Sequence, residues 1–297
     1  MKRLIVTADD FGAAREVNEA VEQAHLRGIL SAASLMVAAP AAADAIARAR
    51  RLPTLRVGLH VVLTDGRPLL PAAAVSRLID ASGAFRGNLA LLGAAIAASS
   101  AVRRQVAAEI SAQFARFCDS GLELDHVNAH KHFHLHPVVA ALLITIGRRF
   151  GLRAVRLPLE PPRVLRRVAR SARWQPQLML PALLLRRRLK SAGLLAPDQC
   201  FGIEWSGRMT RPRLLALLAS LPPGLTEIYL HPATAADFPG AAPGYRYREE
   251  FEALVAPDVV AACRGSSLTL GGFRDFLTCG VTTLPVPAHR GDLSLRM

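Results

Sequence analysis

The stretch LELDHVNAHKHFHLHP, residues 122–137, decides the fold of this chain. Its first part, 122–127, predicts a buried strand, and Pro137 opens a helical pattern over 138–150. Five of the nine histidines of the chain fall within the stretch. Chemically active side chains between a strand and the following helix are typical of parallel β/α proteins, in which such side chains form the site.

The same strand-then-helix order recurs on both sides of this stretch. Apolar runs predict further strands at 2–8, 29–37, 55–63, 153–157, 226–230 and 267–270. Helical patterns are predicted over 13–27, 41–51, 102–119, 211–220 and 247–263. About seven such units favour an α/β fold of the irregular (β/α) barrel type. Because no internal repeat and no interdomain linker is evident, residues 1–297 are predicted to form a single domain.

Composition excludes several classes of protein. A chain of 297 residues, 51% of them hydrophobic, can bury a large core and is not disordered. The chain contains no uncharged apolar run of about 18 residues, so no transmembrane helix is predicted. Two aspartates within the first ten residues argue against a cleavable leader. The dispersed cysteines form no CxxC pair, which predicts a cytoplasmic protein (Cys118, Cys200, Cys263 and Cys279).

Side chains with catalytic or metal-binding chemistry stand at or near the ends of four predicted strands. They are Asp9 and Asp10 after the first strand, His60 in the distal half of the third, the histidines of 130–136, and His231 directly after 226–230. Because the carboxyl ends of parallel strands meet at one face, residues some 220 positions apart are expected to share a pocket.

The residue types indicate a divalent metal ion. One of the adjacent aspartates could cap the following helix, but the second would be an unpaired anion that a cation would neutralise. If the cluster were extended, alternation would bring His130, His132, His134 and His136 to one side, whereas a sharp turn would splay them. Two histidines and one carboxylate suit a catalytic ion with open positions. The alternatives are buried structural histidines at 60 and 231 and a solvated loop at the cluster.

Four motifs together resemble the YdjC-like carbohydrate deacetylases. They are TADDFG (7–12), GLHVVLT (58–64), HKHFHLHP (130–137) and LHPA (230–233). The segment NAHKHFHLHP and a basic insertion look most like the hopanoid-biosynthesis-associated branch of that family, HpnK. The resemblance implies an irregular (β/α) barrel related to the polysaccharide deacetylases. It also implies metal-dependent removal of the N-acetyl group from an amino sugar, with one divalent ion, Mg²⁺ or Zn²⁺.

The resemblance implies a role for each residue at the strand ends. Asp9 matches the general base, and His231 matches the general acid. The metal ligands are implied to be Asp10, His60 and His130. The remaining polar residues of the cluster, His132, His134 and Asn128, are expected to orient the ligands or to hold substrate. Relatives often carry Asp-Ser before the first histidine of the cluster, where this chain has Asn128 and Ala129, so an outer carboxylate is either missing or replaced.

Residues 161–190 carry eight arginines and one lysine with no acidic residue, in a chain of net charge +14. This segment belongs to an insertion at about 161–195 and includes the apolar run QLMLPALLL. A basic amphipathic stretch of this kind predicts peripheral contact with the inner face of an anionic membrane. The alternative is an insertion that packs its leucines onto the barrel. Nucleic acid is disfavoured because only Trp174 interleaves with the arginines.

Two other functions are compatible with the same residues. A metal-dependent phosphoesterase often uses two close ions, for which the surplus histidines leave room. A non-catalytic, membrane-associated sugar-binding protein could keep the same barrel. A glycosidase is disfavoured because it needs two opposed carboxylates. The chain has no G-x-S-x-G elbow, so the hydrolase hypothesis concerns attack by water on the amide of an N-acetylated, lipid-linked amino sugar.

Overall fold

A computed structural model of the chain describes residues 1–173, 175–265 and 267–277, so Trp174 and Cys279 lie outside the described residues. Seven strands occur within these ranges, and each pairing between them is parallel. They are β1 (Lys2–Phe11), β2 (Ala32–Leu35), β3 (Arg56–Val61), β4 (Val127–Ala129), β5 (Gln199–Phe201), β6 (Gly224–Leu230) and β7 (Leu268–Leu270).

Strand β1 is the centre of the sheet, whose order is β4-β3-β2-β1-β6-β5, with β7 also paired to β1. One edge of β1 pairs with β6 from Lys2 to Ala8. The other edge pairs first with β7 and then, from Thr7 onward, with β2. Its residues Leu4–Ala8 have no exposed area, which explains why this strand is an uninterrupted apolar run rather than an alternating one.

The segment 153–159 joins the two outer strands of the sheet. Isolated parallel bridges link Val127 of β4 to Val155 and link Ala154 to Leu195, and Cys200 of β5 donates its backbone N–H to Leu159. The predicted strand at 153–157 is therefore present as single bridges, consistent with Pro158 lacking an N–H for a regular ladder. The α/β fold with an irregular barrel that the sequence predicts is confirmed.

Ten α-helices of 7 to 20 residues surround this sheet in the described part of the chain. They are α1 (Arg15–Arg27), α2 (Ala42–Arg50), α3 (Leu89–Ala98), α4 (Ser100–Asp119), α5 (Pro137–Arg148), α6 (Pro162–Val168), α7 (Met179–Ser191), α8 (Arg211–Ser220), α9 (Tyr247–Val255) and α10 (Pro257–Arg264). The sequence missed α3, whose LALLGAAIAA has no polar periodicity. The predicted helix 247–263 is two helices, because Ala256 is extended before Pro257.

The strand predicted at 122–127 is displaced in the structure. Regular pairing begins only at Val127, where β4 starts beside β3. The preceding residues Asp125 and His126 are buried and bond through their side chains. The apolar pattern predicted the correct part of the sheet, but the paired strand begins at Val127, the last residue of the predicted range. The short strand β5 is absent from the sequence prediction.

The basic segment 161–190 forms α6, a short 3₁₀ turn and α7. Leu185 is buried, while Leu180, Leu183 and Leu184 are 67%, 40% and 44% exposed. The alternative that the leucines of this insertion pack onto the barrel therefore holds for Leu185 and fails for the three exposed leucines. Across the described ranges, the structure has no helix whose length and apolarity would let it cross a bilayer.

Candidate metal centre and catalytic cleft

A break in the regular geometry of β1 brings two consecutive carboxylates to one site. Successive side chains of a strand point to opposite faces. Between Ala8 and Phe11 the register with β2 shifts, and Asp10 adopts the left-handed backbone with φ of 60°. Both Asp9 and Asp10 line the same cleft at the carboxyl end of the sheet. A bulge at a functional strand end has this effect of redirecting a side chain.

The predicted ligands Asp10, His60 and His130 converge. Asp10 Oδ1 lies 3.3 Å from His60 Nε2 and 3.3 Å from His130 Nδ1, and the two imidazole nitrogens are 3.4 Å apart. Asp10 Oδ1 is buried and has no hydrogen-bond donor among the described residues. Such a set of nitrogen and oxygen atoms facing one point could hold a divalent metal ion. The residues fit the ion that the sequence predicts.

The orientation of His60 suits metal binding. Its Nδ1 donates to Asn128 Oδ1 at 2.7 Å, which leaves the lone pair of Nε2 directed toward Asp10 and His130. Metal-binding histidines usually donate their second ring N–H in this way. In this chain the acceptor for the second ring N–H of His60 is therefore the amide oxygen of Asn128.

Asp9 is engaged by a buried arginine that sequence reasoning missed. Arg156 Nη1 donates to Asp9 Oδ2 at 2.5 Å, and Nη2 donates to Asp9 Oδ1 at 2.8 Å. Burial raises the pKa of Asp9, but the charge and hydrogen bonds of Arg156, together with His60 and His231, lower it, and the net pKa is well below the usual range. The same guanidinium donates to Glu227 at 2.7 Å. The sequence does hold a signal for this pair, because Arg156 is a charged residue near the end of the predicted strand 153–157 and Glu227 is the single acid of the predicted strand 226–230.

The histidine cluster is splayed, so the extended arrangement considered from the sequence is wrong. Residues His130–Leu135 form a 3₁₀ turn in which Lys131 and His132 have φ of 53° and 54°. His132 Nε2 hydrogen-bonds with the Tyr229 hydroxyl at 2.9 Å. His134 Nε2 donates to the backbone oxygen of Arg156 at 3.2 Å. Of the cluster, His130 alone joins the described set with Asp10 and His60.

Two histidines of the turn, the buried His134 and the half-buried His132, have lowered pKa values. Burial lowers the pKa of His134 to about 3, and the nearby Arg156 charge adds to the effect. Burial, again assisted by Arg156, lowers the pKa of His132 well below its usual value. By contrast, burial lowers the pKa of His130 but the Asp10 carboxylate raises it, with a net upward shift.

His231 enters the cleft from the end of β6. Leu230 pairs with Ala8, so His231 follows at the level of Asp9 on the neighbouring strand. Its backbone N–H donates to the buried Glu250 at 2.5 Å, and its ring lies 5.1 Å from that of Tyr245. Burial lowers the pKa of His231, while Asp10 and Asp9 oppose the shift. The predicted meeting of residues from four strand ends in one pocket is therefore observed.

The cleft has a volume of about 940 Å³. Its polar floor is formed by the strand-end residues, and much of its wall is apolar (Met36, Pro40, Val62, Leu135, Ile203, Pro243). Gln175 and Leu178 of the basic segment also line it. A cleft of this size with a few convergent polar groups is typical of a small-molecule or headgroup site.

Comparison with known proteins places this geometry in context. The family model described as YdjC-like protein matches residues 3–265. A carbohydrate deacetylase of Geobacillus stearothermophilus is 32% identical over 277 residues, which cover 92% of this chain and 97% of that protein. A carbohydrate deacetylase of Mus musculus is 34% identical over 249 residues, 77% of each chain.

A solved structure has the same fold. The crystal structure of an Enterococcus faecalis protein assigned to cellobiose-phosphate cleavage superposes with a TM-score of 0.71 at 24% identity. The match covers 92% of this chain and 98% of that one. The likeness concerns the arrangement of strands and helices rather than the reaction.

Proposed function

The chain belongs to the family of YdjC-like proteins, and on that premise we propose that it is a metal-dependent carbohydrate deacetylase. The reaction is hydrolysis of the N-acetyl group of an N-acetylglucosamine-type sugar. The observation that carries this proposal is the convergence of Asp10, His60 and His130 beside Asp9 and His231 in one cleft. Relatives that span nearly all of the chain are named carbohydrate deacetylases.

Asp10, His60 and His130 would hold the ion. A divalent ion bound there supplies polarisation of the acetamide carbonyl and a lowered pKa for water. Of the two ions considered, Zn²⁺ suits two imidazoles and one carboxylate better than Mg²⁺, which prefers oxygen ligands. The buried, donor-free Asp10 Oδ1 supports a cation at this point.

Asp9 would act as the general base. Because Arg156 holds it ionised, Asp9 is always in the proton-accepting form at neutral pH. The fork of Arg156 keeps both carboxylate oxygens in a defined position, which general-base catalysis requires.

His231 would act as the general acid. An amine leaves an amide poorly unless its nitrogen is protonated, so a donor beside the scissile bond is needed. His231 lines the cleft with Asp9 and Asp10, and these carboxylates oppose the lowering of its pKa by burial. The bond from its backbone N–H to Glu250 and the contact with Tyr245 hold the imidazole in the cleft.

We take the substrate to be lipid-linked, namely the acetylated amino-sugar headgroup of a hopanoid glycolipid. The apolar cleft wall supports an apolar group next to the sugar. The segment 161–190 contributes Leu178 to that wall and exposes Leu180, Leu183 and Leu184 nearby in sequence. Its exposed arginines suit anionic lipid headgroups. The segment would hold the enzyme at the membrane surface with the cleft open to the headgroup.

The phosphoesterase alternative has less support. Enzymes of that class often use two close ions, whereas one three-ligand cluster occurs within the described ranges. His132 and His134, which could have held a second ion, are bonded to Tyr229 and to the Arg156 backbone.

Acetate release tests the proposal. The purified protein is incubated with an N-acetylglucosaminyl lipid in vesicles and, separately, with free chitooligosaccharides, before and after chelation. We expect acetate from the lipid substrate, loss of the activity on chelation, and recovery when Zn²⁺ is restored. Acetate release from neither substrate by the metal-loaded protein would refute the deacetylase, and release from the free sugar alone would refute the lipid assignment.

A further inference from the structure

Behind the cleft, hydrogen bonds continue from the catalytic face into the barrel. Asn128 Nδ2 donates to Asp9 Oδ1 at 3.2 Å and to Ser34 Oγ at 2.9 Å. Ser34 Oγ in turn lies 3.0 Å from His126 Nε2. Asn128, Ser34 and His126 have no exposed area, so this is a continuous polar path through a buried region.

Asp125 anchors the far end of this path. Its carboxylate accepts from the backbone N–H groups of Phe273 and Arg274 at 3.1 and 2.8 Å. It also lies 2.9 Å from His126 Nδ1, whose N–H it accepts. The ring of His126 stacks on Phe273 with centroids 4.3 Å apart, which fixes the imidazole plane. Because Nδ1 carries the hydrogen, Nε2 of a neutral His126 presents its lone pair to Ser34.

The direction of each further bond follows from this anchor. Ser34 donates to His126 Nε2, so its oxygen accepts from Asn128. Both hydrogens of the Asn128 amide are then committed, one to Ser34 and one to Asp9. The amide oxygen is left to accept from His60 Nδ1 at 2.7 Å. His60 Nε2 must therefore carry the lone pair that faces Asp10.

A glycine makes room for this path across the sheet. Strand β3 lies between β2, which carries Ser34, and β4, which carries Asn128 and directly follows His126. Gly58 is the residue of β3 paired with Ser34, and a Cβ there would lie 2.5 Å from His126 Nδ1. Any larger side chain at position 58 would displace the imidazole, so the side chains meet across β3 because this position is glycine.

Ser34, His126 and Asp125 have the residue types of a nucleophilic triad, but they do not act as one. Ser34 has no exposed area and is absent from the cleft wall. A nucleophile must reach the scissile carbonyl, which a sealed hydroxyl cannot do. The role left for these residues is to orient the amide of Asn128.

We infer that Asp125, His126 and Ser34 are positioning residues that set the tautomer of His60 and the placement of Asp9 through Asn128. The inference rests on the proposed metal site, but it concerns groups that are present without the ion. It also explains an amide rather than a carboxylate at position 128. A carboxylate there could not donate to Ser34 or Asp9, and it would place a second anion beside Asp9.

The decisive experiment compares Ser34→Ala with Ser31→Ala. Ser31 is a buried serine three positions earlier whose hydroxyl accepts from Val6 N at 2.9 Å and takes no part in the path. For each metal-free protein, the tautomer of His60 is read by ¹⁵N NMR of the imidazole. The affinity for Zn²⁺ is then measured by calorimetry, and the thermal midpoint is recorded.

We expect the wild type and Ser31→Ala to hold His60 with the hydrogen on Nδ1. In Ser34→Ala we expect mixed tautomers and Zn²⁺ affinity lower by about tenfold or more, the effect usual for outer partners of a ligand. Equal affinity in the two variants, or a wild-type His60 with the hydrogen on Nε2, would overturn the inference.

A second variant keeps the test valid if Ser34→Ala does not fold. Asn128→Leu has nearly the same volume but cannot accept from His60 or donate to Asp9 and Ser34, so we expect it to lower Zn²⁺ affinity and to lower kcat for acetate release with little change in KM. Unchanged Zn²⁺ affinity would count against the path. Failure of the proposed function is distinguishable: a wild type with the Nδ1–H tautomer and no acetate release would refute the deacetylase and leave the positioning path intact.

Discussion

Arg156 and Asp9 lie 147 positions apart in the sequence and form a two-pronged ion pair with no exposed guanidinium surface. The same arginine pairs with Glu227, and Asp10 stands next to Asp9. Two carboxylates contact this guanidinium and a third, that of Asp10, follows in the chain, so the three exceed the charge of Arg156 by two negative charges when all are ionised. A divalent cation at Asp10 would balance this charge, since buried ions are stable only when paired.

Two substitutions of Arg156 distinguish the effect of its positive charge from the effect of its two-pronged contact with Asp9. Arg156→Lys keeps one positive charge but cannot make the fork to both oxygens of Asp9. We expect at least a tenfold fall in kcat for acetate release with the protein still folded. Arg156→Ala leaves carboxylates buried without a partner and should cost about 3–5 kcal/mol in the free energy of unfolding. Chemical denaturation and initial rates measure both effects, and full activity of Arg156→Lys would contradict the role of the fork.

The metal ligands should be separable from other histidines. Asp10→Asn and His60→Gln should each lose most Zn²⁺ affinity, because each removes one of three ligands. His25→Gln is the matched control, since His25 lies on α1 and bonds to Leu30 and Thr54. Calorimetry on the metal-free proteins measures the affinities. We also expect Zn²⁺ to bind more tightly than Mg²⁺, and the reverse order would contradict the nitrogen-rich site.

Asp9→Asn distinguishes a base from a ligand. The amide cannot take a proton from water, so kcat for acetate release should fall by about 100-fold or more. Zn²⁺ affinity should change far less than in Asp10→Asn, because Asp9 is engaged by Arg156 rather than by the ligand cluster. A variant that retains wild-type kcat would show that another group accepts the proton.

The low pKa of His134 predicts acid sensitivity. The unfolded chain binds a proton at His134 near pH 6.5, whereas the folded protein binds it only at about pH 3. The stability that neutral His134 contributes is therefore complete above pH 6.5 and is lost as the pH falls toward 3. Relative to His134→Gln, the wild type should lose about 2–3 kcal/mol between pH 6.5 and 4.5. Urea unfolding at several pH values tests this, and a pH-independent difference would refute it.

Exposed leucines of α7 should govern membrane contact. A variant with serine at Leu180, Leu183 and Leu184 should co-sediment less with anionic vesicles, because it removes the exposed apolar surface of a basic helix. Leu91→Ser is the control, since Leu91 of α3 is 68% exposed and lies outside the segment. Equal recovery of wild type with anionic and neutral vesicles would contradict the lipid-surface role of 161–190.

Much of the barrel was predictable because its strands are nearly continuous apolar runs. The ends of β1, β3 and β6 carry polar residues that break these runs, and the site residues were found at those breaks. Where the local pattern was weak, prediction failed. The helix α3 has no polar face, and the segment 153–157 makes single bridges, so neither follows the expected periodicity.

The histidine cluster was predictable as chemistry but not as geometry. Alternation along 130–136 assumed an extended backbone, and the left-handed residues Lys131 and His132 separate the rings instead. The partners that receive these rings are Tyr229 and the backbone of Arg156, which come from distant parts of the chain. Local sequence preferences carry no information on such partners.

The sequence by itself determined the parallel β/α architecture and the set of strand-end residues able to bind a metal, because both depend on local runs and their interruptions. The motif resemblance implied that His130 joins Asp10 and His60, but only the tertiary structure decided that Arg156 holds Asp9 and that Asn128 directs His60. Those choices depend on distances between strands and on which buried donor meets which acceptor, and these are set when the sheet curls and closes its core.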